Sequence, residues 1–268
     1  MKKPRAVFMQ YDTSEVIKEG NGYVGSKEDI ERNKILINLL YSKRESVPKK
    51  YKEIQKKYND LGSRGFNIIS SQFTLHYYFE NEQKLRNFIQ NLSDNCKPNG
   101  YFIGTCYDGM KVFNTLKEKD DLTMMDEFNN KVYSIVKNYE IESFDYKQDD
   151  LSNMFGQEIK VEMSSIGQEI TEYLVNFQFF VEIMKEYNFK LVSPDLKGKF
   201  SGIFDTKDFS YQKGMGGFDQ IIQKLSNLSS KDMTLKKNYI EALEILKEEN
   251  VMLRELSALN NWFIFQKY

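Results

Sequence analysis

Histidine occurs once in this chain of 268 residues, at His76, and cysteine only twice, at Cys96 and Cys106. A structural zinc needs four nitrogen or sulfur ligands gathered together, and one imidazole with two thiols flanking a Pro98-Asn99-Gly100 turn does not supply them. No metal centre is expected, and the thiols read as the reduced cysteines of an intracellular protein, with cytoplasm and nucleus both open. Net charge is lacking too: 38 Lys and Arg against 39 Asp and Glu leave -1. No global basic field therefore announces a nucleic-acid binder, although a local basic groove would not show in that sum. The amino-terminal MKKPRAVFMQ has no apolar stretch of signal-peptide length, and no run approaches the ~20 apolar residues that span a bilayer. The expectation is a soluble, non-secreted chain with no membrane partner. Its length suffices for one large domain, or for one domain carrying an insert.

What the chain does have is an alternation of short apolar runs and amphipathic segments. Ala6 to Tyr11 (AVFMQY) is a predicted strand closed by Asp12, with Thr13, Ser14 and Glu15 turning toward a helix. Asp12 is thereby set at a strand's carboxyl end, the end that faces the ligand crevice in open α/β sheets. Residues 27–58 place Ile30, Ile35, Leu36, Leu39 and Leu40 at helical spacing, which predicts a solvated helix followed by a polar, Lys-rich segment. Phe66 to Ser70 reads as a buried strand, Glu82 to Leu92 as an amphipathic helix, and Tyr101 to Cys106 as a second strand. Strand, helix, strand is a βαβ unit, and two such crossings imply a mostly parallel sheet. Further on, the pattern predicts a helix from Lys111 to Lys119, then a polar, Tyr-containing insert with some strands over residues 120–165. A helix is expected from Glu169 to Tyr187, a strand from Asn188 to Val192, a helix from Met233 to Leu256 and a closing strand from Trp262 to Gln266. The run Gly20 to Gly25 (GNGYVG) fits the letters of a phosphate loop. Its first glycine ends no strand and its last opens only a charged surface helix, so it is expected to be a turn.

The segment Ser70 to Glu80 (SSQFTLHYYFE) gathers an amide, the single histidine and several aromatics at a strand's carboxyl end. A lone histidine beside aromatics suits a packed side chain as well as a ligand contact, and position leaves both open. The longer stretch NIISSQFTLHYYFENEQKLRNFIQNLSDNCKPNGYFIGTCYDGMKVFNTL resembles the mRNA cap (guanine-N7) methyltransferases. That family's pattern is a buried strand, then Q-F-x-x-H-Y-x-F-E, an amphipathic helix and G-G-Y-F-I-G-T. VFMQYDTSEVI, EYLVNFQFFVEIMKEYNFKLV and FIFQK are similar to further family segments in the same order, and the wording GYFIGTCYDG is nearest to the enzymes of large DNA viruses.

The resemblance implies an α/β, Rossmann-like class I S-adenosylmethionine-dependent methyltransferase fold, a mostly parallel sheet with helices on both faces. Its cofactor-sheet part would span residues 6–119, an inserted cap-side segment residues 120–168, and the cap-side helix and closing strands residues 169–268. Asp12, Gln72 and Tyr77 would contact S-adenosylmethionine, with Asp12 accepting from the adenine amine and Tyr77 walling the gap between donor and acceptor. His76, Glu172 and Asn260 would face the cap, Glu172 accepting from the N1–H and exocyclic amine of guanine. Phe73 and Phe79 are expected to pack. No residue is expected to act as acid or base, because guanine N7 already carries a lone pair; catalysis would be positioning and electrostatics. The implied partner is the capped 5′ end of an mRNA, with other capping-enzyme domains or subunits beside it.

Two departures stand out. The family's glycine-rich cofactor loop, D-x-x-x-G-x-G-G-D, does not precede Ala6, so the domain is expected to be incomplete at its amino end, which leaves activity of this chain by itself open. Asn260 stands near where the family has a cap-contacting tyrosine. A non-catalytic methyltransferase-fold partner and a general RNA-binding module are the other readings these residues allow.

Overall fold

A computed structural model describes residues 6–41, 47–193, 214–220, 247 and 251–268. Helix α1 (Lys27–Leu40) starts at a reciprocal cap: the Ser26 hydroxyl accepts from the Asp29 N–H, and the Asp29 carboxylate accepts from the Ser26 N–H. A short helix α2 (Lys52–Tyr58) follows, and then strand β1 (Phe66–Gln72). Helix α3 (Glu82–Asn95), capped by the Asn81 side chain on the Lys84 N–H at 2.9 Å, returns the chain to β2 (Cys96–Tyr107), which pairs parallel to β1.

Helix α4 (Gly109–Thr115) is capped by Asp108 and is shorter than its apolar pattern suggested. Four strands then form an antiparallel sheet of their own: β3 (Asp121–Met125), β4 (Lys131–Asn138), β5 (Glu158–Met163) and β6 (Glu169–Tyr173). Helix α5 (Phe177–Glu186), β7 (Phe189–Leu191), β8 (Met215–Gly217), α6 (Val251–Ala258) and β9 (Asn260–Lys267) complete the chain.

The first sheet has the order β1-β2-β9-β7, with β8 also pairing β9. Strand β9 runs antiparallel to both β2 and β7. This is the order 4-5-7-6 that closes a class I methyltransferase sheet, so the Rossmann-like expectation holds. Strands β1, β2, β7 and β8 run in one direction and β9 alone runs against them, so the described sheet is mixed but mostly of one sense, with β1 and β2 as its parallel hydrogen-bonded pair. Phe102 of β2 and Phe263 and Phe265 of β9 share one face, where Phe88 of α3 and Phe177 and Phe180 of α5 meet them ring to ring. Gly104 makes that layer possible, since a Cβ there would stand 2.4 Å from both the Phe263 ring and the Ser71 carbonyl oxygen.

Several expectations are corrected. Ala6 to Gln10 form no strand, and Tyr11 makes only an isolated bridge to Tyr23. An apolar run becomes a strand where a neighbouring strand takes its backbone groups, and among the described residues no strand pairs with Ala6–Gln10, the Gln10 carbonyl accepting instead from the Asn33 side-chain amide at 2.8 Å. Strand β1 is not buried: it ends the sheet, and Ile68 is 59% exposed. The span expected as one helix from Glu169 divides in two. Ile170 and Glu172 pair with Val161 and Ile159 of β5, and Asn176 then caps α5, accepting from the Phe179 N–H at 3.0 Å. The helix expected from Met233 lies outside the described residues except for its end in α6.

The GNGYVG run is a turn, with Gly20 and Gly25 at φ +75° and +104°. It also does structural work. The Gly22 carbonyl accepts from the Asp12 N–H at 2.7 Å, and a Cβ on Gly22 would lie 2.4 Å from Asp12 O, so this glycine lets the turn press against the Asp12 loop.

Candidate active site

Beyond Gln72 the chain must leave β1, and Phe73 turns it through a left-handed backbone (φ +51°) while its N–H donates to Thr105 O at 2.8 Å. That conformation costs a non-glycine residue about 1–2 kcal/mol. The turn carries the short 3₁₀ helix Leu75–Glu80 back across the ends of β1 and β2. Leu75 and Phe79 enter the core, as expected for Phe79, whereas Phe73 is 51% exposed and only edges against Phe218. Packing does not explain Phe73; its place in the turn does.

His76 is 3% exposed and Glu172, on β6 of the other sheet, 5%. The helix and the strand bring His76 Nε2 to 3.4 Å from Glu172 Oε1. Neither His76 Nε2 nor Glu172 Oε2 has a hydrogen-bond partner of good geometry, although both are buried. Unpaired buried polar atoms are costly and mark a place where a ligand can complete them. Burial pushes Glu172 up to about 7 and His76 down to about 4, so the imidazole is neutral and the carboxyl titrates near neutrality.

Three side chains not foreseen from the sequence surround this pair. Cys106 Sγ lies 3.7 Å from His76 Nδ1. The Tyr107 ring stacks beside His76, at 6.4 Å between centroids and 28° between planes, and its hydroxyl bonds that of Tyr133 on β4. This hydroxyl pair links β2 of the first sheet to β4 of the second, the sheet that carries Glu172. Cys106 and Tyr107 could have been found from their place at the carboxyl end of β2; nothing in the sequence marked Tyr133.

Tyr77, 40% exposed, packs edge-on against His76 at 4.2 Å and with its other side lines a cavity of about 440 Å³. Asp12, Ser14, Tyr78, Lys84 and Thr171 are among the other lining residues. Asp12 is held there by its own loop, its Oδ1 accepting from the Ser14 N–H at 2.9 Å and the Ser14 hydroxyl at 2.7 Å. The volume suits a cofactor-sized ligand. Gln72 does not share this cavity. It lines a neighbouring one of about 430 Å³ across the Thr13–Tyr78 hydroxyl bond, and its amide is engaged by Thr105 and Ser70. Asn260 is buried opposite Tyr107 in the β2–β9 register and donates to Leu256 O at 3.2 Å, with its Oδ1 unpaired. The structure therefore joins His76 with Glu172 and Asp12 with Tyr77, and sets Gln72 and Asn260 at the margins.

The opposed shifts have a measurable consequence. His76 stays neutral when folded but protonates near 6.5 when unfolded, so its contribution is full above about 6.5 and lost as pH falls toward about 4. Glu172 acts in reverse: it keeps its proton when folded, so its contribution is full below 4.5 and lost as pH rises through about 7. Between 4.5 and 6.5 the two oppose each other. Glu172→Gln is expected to unmask the histidine, so that urea-unfolding stability rises with pH across that window by on the order of 1–3 kcal/mol. A level profile in the variant would contradict this assignment.

Comparison with known proteins adds an independent line. The profile of the mRNA (guanine-N(7))-methyltransferase domain matches residues 38–248. The probable mRNA-capping enzyme of Acanthamoeba polyphaga mimivirus is 29% identical over 212 residues, covering 75% of this chain and 17% of that protein. The mRNA cap guanine-N(7) methyltransferase 1 of Oryza sativa subsp. japonica is 33% identical over 127 residues, 47% of this chain and 32% of that one. The Saccharomyces cerevisiae mRNA cap guanine-N(7) methyltransferase is 28% identical over 134 residues, 50% and 30% of the respective chains. The chain thus spans from 17% to 32% of the length of these relatives. Among solved structures, an S-adenosylmethionine-dependent methyltransferase from Clostridium acetobutylicum aligns over 48% of this chain and 50% of that one, with 14% identity and a TM-score of 0.33.

Proposed function

Because this chain belongs to the mRNA (guanine-N(7))-methyltransferase family, we propose that its site takes the guanine of an mRNA cap at His76 and Glu172, with S-adenosylmethionine beside it, for methyl transfer to guanine N7. The observation that carries this reading is the buried His76–Glu172 pair with its unpaired Nε2 and Oε2. A carboxylate is acceptor-only, and guanine presents two adjacent donors, N1–H and the exocyclic amine, which match it. Imidazole beside it faces the same edge of the base.

The residues of the cavity that Asp12 and Tyr77 line fit the cofactor. Asp12 offers a carboxylate to an amine, and Tyr11, Tyr77 and Tyr78 offer rings against which a sulfonium is favourably placed. Bound there, S-adenosylmethionine supplies a methyl group on a positively charged sulfur. Tyr77 packs against His76 and also lines the cavity, so its ring would form a wall of the gap in which methyl donor and guanine N7 meet and fix their approach. No residue has to remove a proton, since guanine N7 is a free lone pair, and the side chains act by orientation and by the field of Glu172. Non-catalytic and general RNA-binding readings are not favoured, because the family match and the cap methyltransferases among the relatives support catalysis on a cap. The breadth of the mimivirus relative supports further capping-enzyme domains or subunits acting beside this one.

Nuclear magnetic resonance of the full chain tests the placement. S-adenosylhomocysteine is expected to shift signals of Asp12, Thr13 and Tyr77, and the capped dinucleotide GpppA those of His76 and Tyr107. GpppA shifts scattered over surface lysines, with His76 unmoved, would refute it.

A further inference from the structure

His76 is the one histidine of the chain, and each of its ring nitrogens faces a different buried group. Nδ1 lies 3.7 Å from Cys106 Sγ and Nε2 lies 3.4 Å from Glu172 Oε1. A neutral imidazole has a single N–H, so which nitrogen carries it decides what the ring presents to a ligand. We propose that Cys106 is a positioning residue for His76, its thiol donating to Nδ1 so that the ring's hydrogen resides on Nε2, facing Glu172.

The geometry leaves little room for the opposite arrangement. Cys106 is fully buried near the end of β2, where pairing with Asn261 of β9 fixes its direction. With hydrogen on Nδ1, the Nε2 lone pair would point at the lone pairs of an ionised Glu172, a repulsive contact between two buried groups. With hydrogen on Nε2, Nδ1 takes the S–H, and the Nε2–H stands 3.4 Å from the carboxylate in an attractive contact that is not a hydrogen bond of good geometry, so it stays available to a ligand. Burial, and after it the charge of Glu172, pushes the thiol up, so it remains an S–H donor. Burial likewise keeps the ring neutral.

The functional consequence rests on the cap reading above. An Nε2–H beside Glu172 sets one donor next to two acceptors, the complement of guanine's O6, N1–H and exocyclic amine. The other tautomer would confront O6 with a lone pair.

A single histidine makes the test direct, because ¹⁵N-histidine labelling of the full chain gives one pair of ring signals. At a pH above that at which Glu172 titrates, the wild-type spectrum is expected to show almost entirely the Nε2–H form. Cys106→Ala is expected to give a mixture of tautomers and to weaken GpppA binding about five-fold, the loss of one modest hydrogen bond. Cys106→Ser, which keeps a donor, restores both. A predominantly Nδ1–H wild type, or an unchanged tautomer in Cys106→Ala, overturns the proposal; if Cys106→Ala does not fold, Cys106→Val, which fills the space without a donor, is read in its place with the same two outcomes. If the tautomers behave as stated while no protein binds GpppA, the role of Cys106 in positioning the ring stands and the cap reading falls.

Discussion

Glu172→Ala is expected to weaken GpppA binding roughly 100-fold, equivalent to losing about 3 kcal/mol, since two hydrogen bonds to a charged acceptor disappear together. The carboxylate is 5% exposed and its Oε2 has no partner within the protein. A ligand bonded there gains without breaking an internal contact, and a ligand deprived of it leaves guanine's donors buried and unpaired. An inosine cap, which lacks the exocyclic amine, separates this from general damage. Wild-type protein should prefer guanosine over inosine about ten-fold, and Glu172→Ala should not distinguish them. Burial holds Glu172 at about 7, so wild-type affinity should rise with pH through neutrality as the acceptor ionises, with no such rise in Glu172→Gln. Equal losses for both caps, with an unaltered pH profile, would show that Glu172 acts only on folding.

Phe263→Ala is expected to destabilise the protein by about 3–5 kcal/mol. Phe263 is 1% exposed, and its ring meets Phe102 at 5.3 Å and both Phe177 and Phe180 at 5.8 Å between centroids. Removing it opens a cavity where β2, β9 and α5 meet, and those neighbours are aromatic rings that cannot collapse into the space. The exposed Phe128, truncated to Ala, should change stability by less than about 0.5 kcal/mol. Urea unfolding compares the two, and similar midpoints for both variants would mean that the aromatic layer is not what holds the sheet together.

The parts of the fold legible in the sequence were those whose signal is local. The run Phe66–Ser70, the amphipathic α3 and the run Tyr101–Cys106 carry their own periodicity, and each formed, the two strands extending to Phe66–Gln72 and Cys96–Tyr107. Ala6–Gln10 did not, because an apolar run needs a partner that the run itself does not contain. The segment from Glu169 misled because Tyr173, Leu174 and Phe177 share helical spacing while Ile170 and Thr171 favour a strand; only the ladder to β5 decides. The error matters for the site, since Glu172 faces His76 from a strand of a second sheet and not from a helix.

His76 and Glu172 came from a family pattern, and the structure brings them together from the 3₁₀ helix that follows β1 and from β6 of the second sheet. Cys106 and Tyr107 stand at the carboxyl end of a strand the sequence does mark, whereas Tyr133 joins them only because its hydroxyl on β4 meets that of Tyr107 on β2, a contact far apart in sequence that no window reveals. The GNGYVG run shows the converse. It has the letters of a phosphate loop, yet its glycines serve to back the Asp12 loop from behind.

Calorimetric titration of the full chain with GpppA and with ApppA tests the central claim most directly, because the two ligands share their phosphates and differ in the edge offered to Glu172 and His76. Adenine has no N1–H and carries an amine where guanine has O6. The account predicts a preference for GpppA of at least about 100-fold, from two charged hydrogen bonds lost and one donor set against another. Equal affinity for the two would contradict it, since the cap would then be held by its phosphates and not by a guanine read at His76 and Glu172.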